Sequence, residues 1–148
     1  MLGYIESGKK SSTKLVAGGS VPADLKRGWF VAPTVFADVN NADRIAQEEI
    51  FGPVRAVIPD DSDEEAIALA NDSEFGLAGT VWFTDDDRVT EVARAVRTGT
   101  IGINDCRLDF RAPFGGVKAS GIGRELGPEG LDAFFSLKSI DRVGPAQS

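Results

Sequence analysis

Between Pro53 and Asn104 the chain alternates between two hydrophobic periods, and few folds satisfy that alternation. Val54-Arg55-Ala56-Val57-Ile58 reads as a strand, stopped by Pro59-Asp60-Asp61. Ser62 and Glu65 then have the spacing of a capping box, and Ala66, Ile67, Leu69 and Ala70 supply the apolar face of a helix ended by Asn71-Asp72-Ser73. Gly79-Thr80-Val81-Trp82-Phe83 is a second strand. Thr84 and Asp87 repeat the capping spacing, Val89, Val92, Ala93 and Val96 recur at i, i+3, i+4 and i+7, and Gly99 is the expected stop. Thr100-Ile101-Gly102-Ile103 is a third strand. Strand, helix, strand, helix, strand with short connections predicts an α/β fold with a parallel βαβαβ sheet. The apolar runs are continuous, which predicts strands covered on both faces.

The flanks follow other rules. Lys14 to Ala17 reads as a short strand, Trp29 to Phe36 as extended chain that Pro33 keeps partly out of a central ladder, and Asp43 to Glu49 as a helical turn at most. Tyr4 and Ile5 look like the end of an amphipathic helix whose earlier turns are missing, which predicts truncation. Gly115 to Gly130 holds six of the seventeen glycines and is expected to be tightly turned. Ser136 to Ile140 reads as a terminal strand, and Pro145 to Ser148 as a frayed tail.

Composition narrows the chemistry. The formal charge is −7, which argues against nucleic-acid binding through a basic face. No apolar run is long enough to span a membrane. The acidic runs Asp60 to Glu65 and Asp85 to Asp87 precede helical patterns, where carboxylates complement the helix dipole. There is no histidine, so Ser-His-Asp and Cys-His catalysis and the usual zinc ligand sets fall away, and no metal site is expected. One cysteine, Cys106, forbids an internal disulfide and, with no secretory leader in view, points to a cytoplasmic location.

Gln47-Glu48-Glu49-Ile50-Phe51-Gly52-Pro53-Val54 is the segment with most chemical content. It sets a carboxylate and an aromatic two residues apart, ahead of a Gly-Pro turn into a strand. Such a carboxylate can accept two hydrogen bonds from a vicinal diol such as a ribose, and the aromatic can pack on a flat ring. The same residues also fit a plain turn, with Phe51 in the core and Glu49 solvated. Elsewhere, Gly121 to Gly127 misses the dinucleotide fingerprint by one residue and follows no buried strand, and Gly115-Gly116-Val117-Lys118 is not a phosphate loop.

The Gln47–Val54 segment is very similar to the Glu-Glu-Ile-Phe-Gly-Pro signature of the aldehyde dehydrogenase superfamily. Gly28 to Phe36, Ala70 to Gly79, Gly99 to Asn104 and Pro113 to Glu125 resemble further segments of that family, in family order, and the similarity runs from Tyr4 to about Ile140. The resemblance is to the C-terminal part: residues 1–134 to the second half of the catalytic domain, and residues 135–148 to a C-terminal oligomerisation strand and tail. It implies an NAD(P)-dependent oxidation of an aldehyde to a carboxylic acid. A cysteine thiolate forms a thiohemiacetal, hydride leaves to the cofactor, and a glutamate-activated water hydrolyses the thioester.

By the same resemblance, Glu49 holds the nicotinamide ribose of NAD or NADP and Phe51 packs beside the nicotinamide. Asn104, Phe110 and Phe114 border the substrate tunnel. Arg107 and Arg111, in the least family-like loop, fit either recognition of a carboxylate-bearing aldehyde or plain solvation. The Gly121–Gly127 run becomes a turn and short helix leading into the C-terminal strand. Cys106 follows the Gly-x-Ile-Asn strand rather than lying in the family's nucleophile segment, so no catalytic residue is assigned. The expected partners are an aldehyde, further copies of the chain or the N-terminal part of the enzyme, with no nucleic acid and no membrane. The 148-residue chain alone is expected to be inactive. A half of a split enzyme and a non-enzymatic interaction fragment are the alternatives.

Overall fold

The computed structural model describes residues 1–25 and 27–144; the tail from Pro145 to Ser148 lies outside the described residues. It opens with helix α1 (Leu2–Lys10), so Tyr4 and Ile5 lie inside a helix that continues for another turn, not at its end. Strands β1 (Lys14–Ala17), β2 (Thr34–Ala37) and β3 (Val54–Ala56) form one sheet in that order, β1 and β2 antiparallel, β2 and β3 parallel. Helix α2 (Arg44–Gln47) lies between β2 and β3. After β3 come α3 (Asp63–Asn71), β4 (Ala78–Val81), α4 (Asp86–Ala95) and β5 (Thr100–Ile103). The expected βαβαβ order of elements is present, but β4 pairs in parallel with β5 alone while β3 pairs with β2. The single parallel sheet of the sequence reading is thus two sheets.

The first sheet is built around Phe36. This ring is fully buried with Ile5, Val39 and Ile45, uniting α1, β2 and α2 in one cluster. Its edge presses on Gly8, where an added Cβ would sit 2.7 Å from the Phe36 ring, so α1 approaches β2 only because that position lacks a side chain. β2 is the central strand, which Pro33 permits because it ends just before the ladder begins. Beside it the buried Thr34 hydroxyl accepts from the Gly19 amide at 2.9 Å and donates to the Ala32 carbonyl at 2.8 Å, so that polar group is satisfied.

Helix α3 begins as its sequence predicts: the Ser62 hydroxyl accepts from the Glu65 amide at 3.2 Å. In α4 the capping residue is Asp85, not Thr84; its carboxylate accepts from the amides of Asp87 and Arg88. An aspartate one position later reaches two orphan amides, which the threonine spacing does not. Val89, Val92 and Ala93 are buried as their periodicity requires. Gly99 is not a helix stop, because α4 ends at Val96 in extended backbone. It is small for another reason: an added Cβ would collide with the Gly115 carbonyl oxygen.

Two further expectations fail for one reason. The strands are not covered on both faces: β3 and β4 alternate between half-buried and exposed residues. Residues 136–140 form no strand, and Leu137 and Ile140 stand almost wholly exposed. Extended chain becomes a strand only against a partner ladder, and none of the described residues provides one there. A turn and short helix follow from the Gly121–Gly127 run as expected, but the helix, α5 (Gly127–Leu131), begins only at its last glycine. Replacing Asp85 by alanine is expected to cost about 1 kcal/mol in a urea titration followed by circular dichroism, and Thr84→Ala less than about 0.5 kcal/mol. The reverse order would restore the sequence-based cap.

Candidate functional site

The segment from Gln47 to Val54 is held at both ends and free in the middle. On its N-terminal side the Gln47 amide group donates to the carbonyls of Asn41 and Asp72 at 2.6 and 2.9 Å. Glu48 accepts from Tyr4 at 2.8 Å and from Arg44 at 2.9 Å. On its C-terminal side the Thr34 amide donates to the Pro53 carbonyl at 2.8 Å as β3 begins. Between these anchors Glu49 is exposed, and its carboxylate enters no ion pair among the described residues.

Phe51 is 84% exposed, which removes the core reading of that ring. Its φ of 55° is in the left-handed region. A bulky residue there is strained by about 1–3 kcal/mol, and such strain persists where the flanking structure over-determines it. The result is an exposed carboxylate and an exposed flat ring two residues apart in one anchored turn, with Glu49 but not Phe51 at a cavity wall. Those two groups suit a diol and a planar heterocycle, so the residues present fit a nicotinamide riboside.

The other predicted positions gather elsewhere. Asn104, at φ 50°, uses its whole amide on one neighbour: Oδ1 accepts from the Phe83 amide at 3.0 Å and Nδ2 donates to the Phe83 carbonyl at 2.7 Å. It staples the ends of β4 and β5 and thereby aims the loop that follows. In that loop Arg107 pairs with Asp105 at 2.7 Å, and Arg111 with Asp109 at 3.1 Å. Each guanidinium holds its aspartate carboxyl below the usual carboxylate range. Phe110 is 73% exposed, whereas Phe114 is half-buried and lines a cavity of about 440 Å³ with Cys106, Leu108 and Ile101.

Glu49 borders a different cavity, of about 580 Å³, bounded by α2, α3, α4 and β4. The two cavities share the backbone of β4 and β5 as a wall, so Glu49 and Phe114 stand at different cavities flanking one strand pair.

The glycine-rich block Pro113–Glu125 is mainly structural. Lys118 donates through Nζ to the carbonyls of Asn71 and Ser73 at 2.8 and 3.0 Å, at the negative end of α3. Ser120 accepts from the Gly76 amide at 3.0 Å. Arg124 donates to the carbonyls of Gly116 and Gly123. Two separated motif segments, Ala70–Gly79 and Pro113–Glu125, therefore hold each other. No local pattern at Lys118 announces that role, and the grip of Tyr4 on Glu48 across 44 residues was equally invisible.

The "Aldehyde dehydrogenase family" sequence profile matches residues 1–140. This chain belongs to the aldehyde dehydrogenase family. It is 55% identical over 141 residues to geranial dehydrogenase of Castellaniella defragrans, covering 95% of this chain and 29% of that protein. Against the betaine aldehyde dehydrogenase of Bacillus subtilis the identity is 46%, with 94% and 29% covered. Its fold is similar to that of a Mycobacterium tuberculosis aldehyde dehydrogenase solved with NAD+, with a TM-score of 0.87, 56% identity, and 90% of this chain and 28% of that one covered. The NAD+ complex of a Bacillus cereus aldehyde dehydrogenase gives a TM-score of 0.88 at 49% identity, with 94% and 28% covered. The chain thus spans less than a third of the length of the curated relatives it matches. It is an α/β member of the aldehyde dehydrogenase family.

Strain at Phe51 has a measurable sign. Phe51→Gly relieves a left-handed conformation but adds freedom to the unfolded chain, so it is expected to be neutral or stabilising by up to about 1 kcal/mol. A loss of more than about 1 kcal/mol in chemical denaturation would mean that the ring contributes packing rather than strain.

Proposed function

We propose that this chain is the C-terminal part of an aldehyde dehydrogenase and forms the wall against which the nicotinamide riboside is held. The observation that carries the reading is the exposed Glu49 carboxylate, without an ion pair among the described residues, two residues from the strained, exposed ring of Phe51. Glu49 accepts hydrogen bonds from the two ribose hydroxyls, and Phe51 narrows the positions open to the ring beside it. The cofactor, when bound, accepts the hydride that leaves the aldehyde carbon. NAD+ occupies two of the similar solved enzymes, which supports NAD as the cofactor here, with NADP as the alternative.

Asn104 positions the loop that carries Phe110 and Phe114 to the aldehyde. That loop favours an uncharged, apolar aldehyde. Arg111 is paired with Asp109 and stands in solvent, and Arg107, which lines the cavity beside Leu108 and Phe114, has its charge met by Asp105. The 55% identical relative is named for geranial, which is such an aldehyde.

Cys106 is exposed in a turn capped by Asp105, which accepts from the Cys106 amide at 2.7 Å, and it follows the Gly-x-Ile-Asn strand rather than lying in the family's nucleophile segment. The 148-residue chain by itself is therefore proposed not to oxidise aldehydes. The apolar row Phe134, Leu137 and Ile140, exposed and without a ladder, supports a role for residues 135–148 in pairing with a second subunit. A cytoplasmic location goes with this reading.

Two experiments test it. In an active enzyme carrying this chain, Glu49→Gln is expected to slow NADH formation in stopped-flow at saturating cofactor more than it raises the Kd for NAD; an unchanged rate rejects the assignment. In the same enzyme Cys106→Ser is expected to retain the burst of NADH, whereas loss of the burst with cofactor binding intact would make Cys106 the nucleophile.

A further inference from the structure

The two adjacent glutamates of the site have different surroundings. Glu48 Oε2 accepts both the Tyr4 hydroxyl at 2.8 Å and the Arg44 Nε–H at 2.9 Å, and the Arg44 guanidinium lies 4.4 Å over the centre of the Tyr4 ring. The three groups thus close on one another, by two charge-assisted hydrogen bonds and a cation–π contact. Tyr4 sits on α1 and Arg44 on α2, and each is followed in sequence by a core residue, Ile5 at 1% exposure and Ile45 at 4%. Both donors are therefore rooted in the cluster around Phe36 although their own tips are in water.

The backbone at Glu48 is extended, with φ −104° and ψ 151°. Extended backbone sends successive side chains to opposite sides. Glu48 is thus held on Tyr4 and Arg44, and Glu49, the next residue, makes neither of those contacts. Two residues on, the left-handed φ of Phe51 requires the same over-determined frame. An exposed ion pair adds little to global stability, so its consequence lies in orientation. Small misplacement of a reacting centre has large effects on rate.

We propose that Tyr4, Arg44 and Glu48 form a positioning clamp that orients Glu49, so that the first glutamate of the pair is an anchor and the second the cofactor contact. The proposal rests on the reading of Glu49 as the ribose contact. The electrostatics agree with a persistent clamp: the Tyr4 hydroxyl and the Arg44 guanidinium hold the Glu48 carboxyl below the usual range, and the Glu48 carboxylate holds the Tyr4 hydroxyl above its own. Tyr4 thus remains the donor and Glu48 the acceptor.

The test is a double-mutant cycle in an active enzyme carrying this chain, read by single-turnover NADH formation, the Kd for NAD and thermal denaturation. Tyr4→Phe and Glu48→Ala are each expected to slow NADH formation about tenfold with the melting temperature nearly unchanged. Glu48→Gln, which keeps an oxygen for Tyr4, is expected to recover a large part of that rate. In a Glu49→Gln background, Glu48→Ala is expected to add almost nothing, because a group that acts through Glu49 has no effect once Glu49 is lost. Additive losses, or a lower melting temperature with rate and Kd within twofold of the parent, overturn the clamp. If Glu49→Gln itself leaves the rate unchanged, the ribose reading fails. If Glu49→Gln slows the reaction and the clamp variants do not, only the clamp fails.

Discussion

An extended segment must find a partner for its backbone or leave its N–H and C=O groups to water, and that requirement shapes this molecule. β3 finds β2, and β4 finds β5, but β3 and β4 do not find each other. Helix α3, which joins them, contains no fully buried residue; its Ala66, Ile67 and Ala70 line the cavity beside β4 instead. The terminal residues 136–140 have strand-like composition and no ladder. These features have one description in common: among the described residues these segments have no further backbone or side-chain neighbour to cover them.

Within this frame the candidate site does not depend on the open edges. The core of Phe36, Ile5, Val39 and Ile45 is complete in itself and lies directly beneath the Gln47–Val54 segment. α1 and α2 bring Tyr4 and Arg44 to one end of the segment, and the β2–β3 ladder holds the other. A turn clamped in this way can hold Phe51 at a positive φ. That conformation is a local cost, and it has a ready account if a ligand completes the turn. The loop after β5 is different in kind. It is tied to β4 by one asparagine staple and held by ion pairs between residues two apart.

The sequence carried most of the local structure because the relevant signals are local. The Ser62 cap, the valine face of α4 and the strand around Ile101 depend on residues within one or two turns of each other, and all are observed. Where two neighbouring residues compete, locality fails: Thr84 and Asp85 both suit a cap, and only the geometry of the amides selects the aspartate. Gly99 failed for a related reason. A glycine after a helix signals a stop, but here the space is taken by the Gly115 backbone, sixteen residues later.

By itself the sequence determined the order and type of the elements between Pro53 and Asn104, the absence of histidine-based chemistry, and the candidacy of Glu49 and Phe51 as a carboxylate and a ring in one turn. Tertiary structure alone decided which strands pair, that Phe51 faces outward, and that Glu48 is engaged by Tyr4 while its neighbour is not. The division has a physical basis. Propensity, capping and periodicity act over a few residues, so they are written along the chain. Strand partnership, exposure and contacts between distant side chains depend on where the chain returns to meet itself, and no short stretch of residues encodes that.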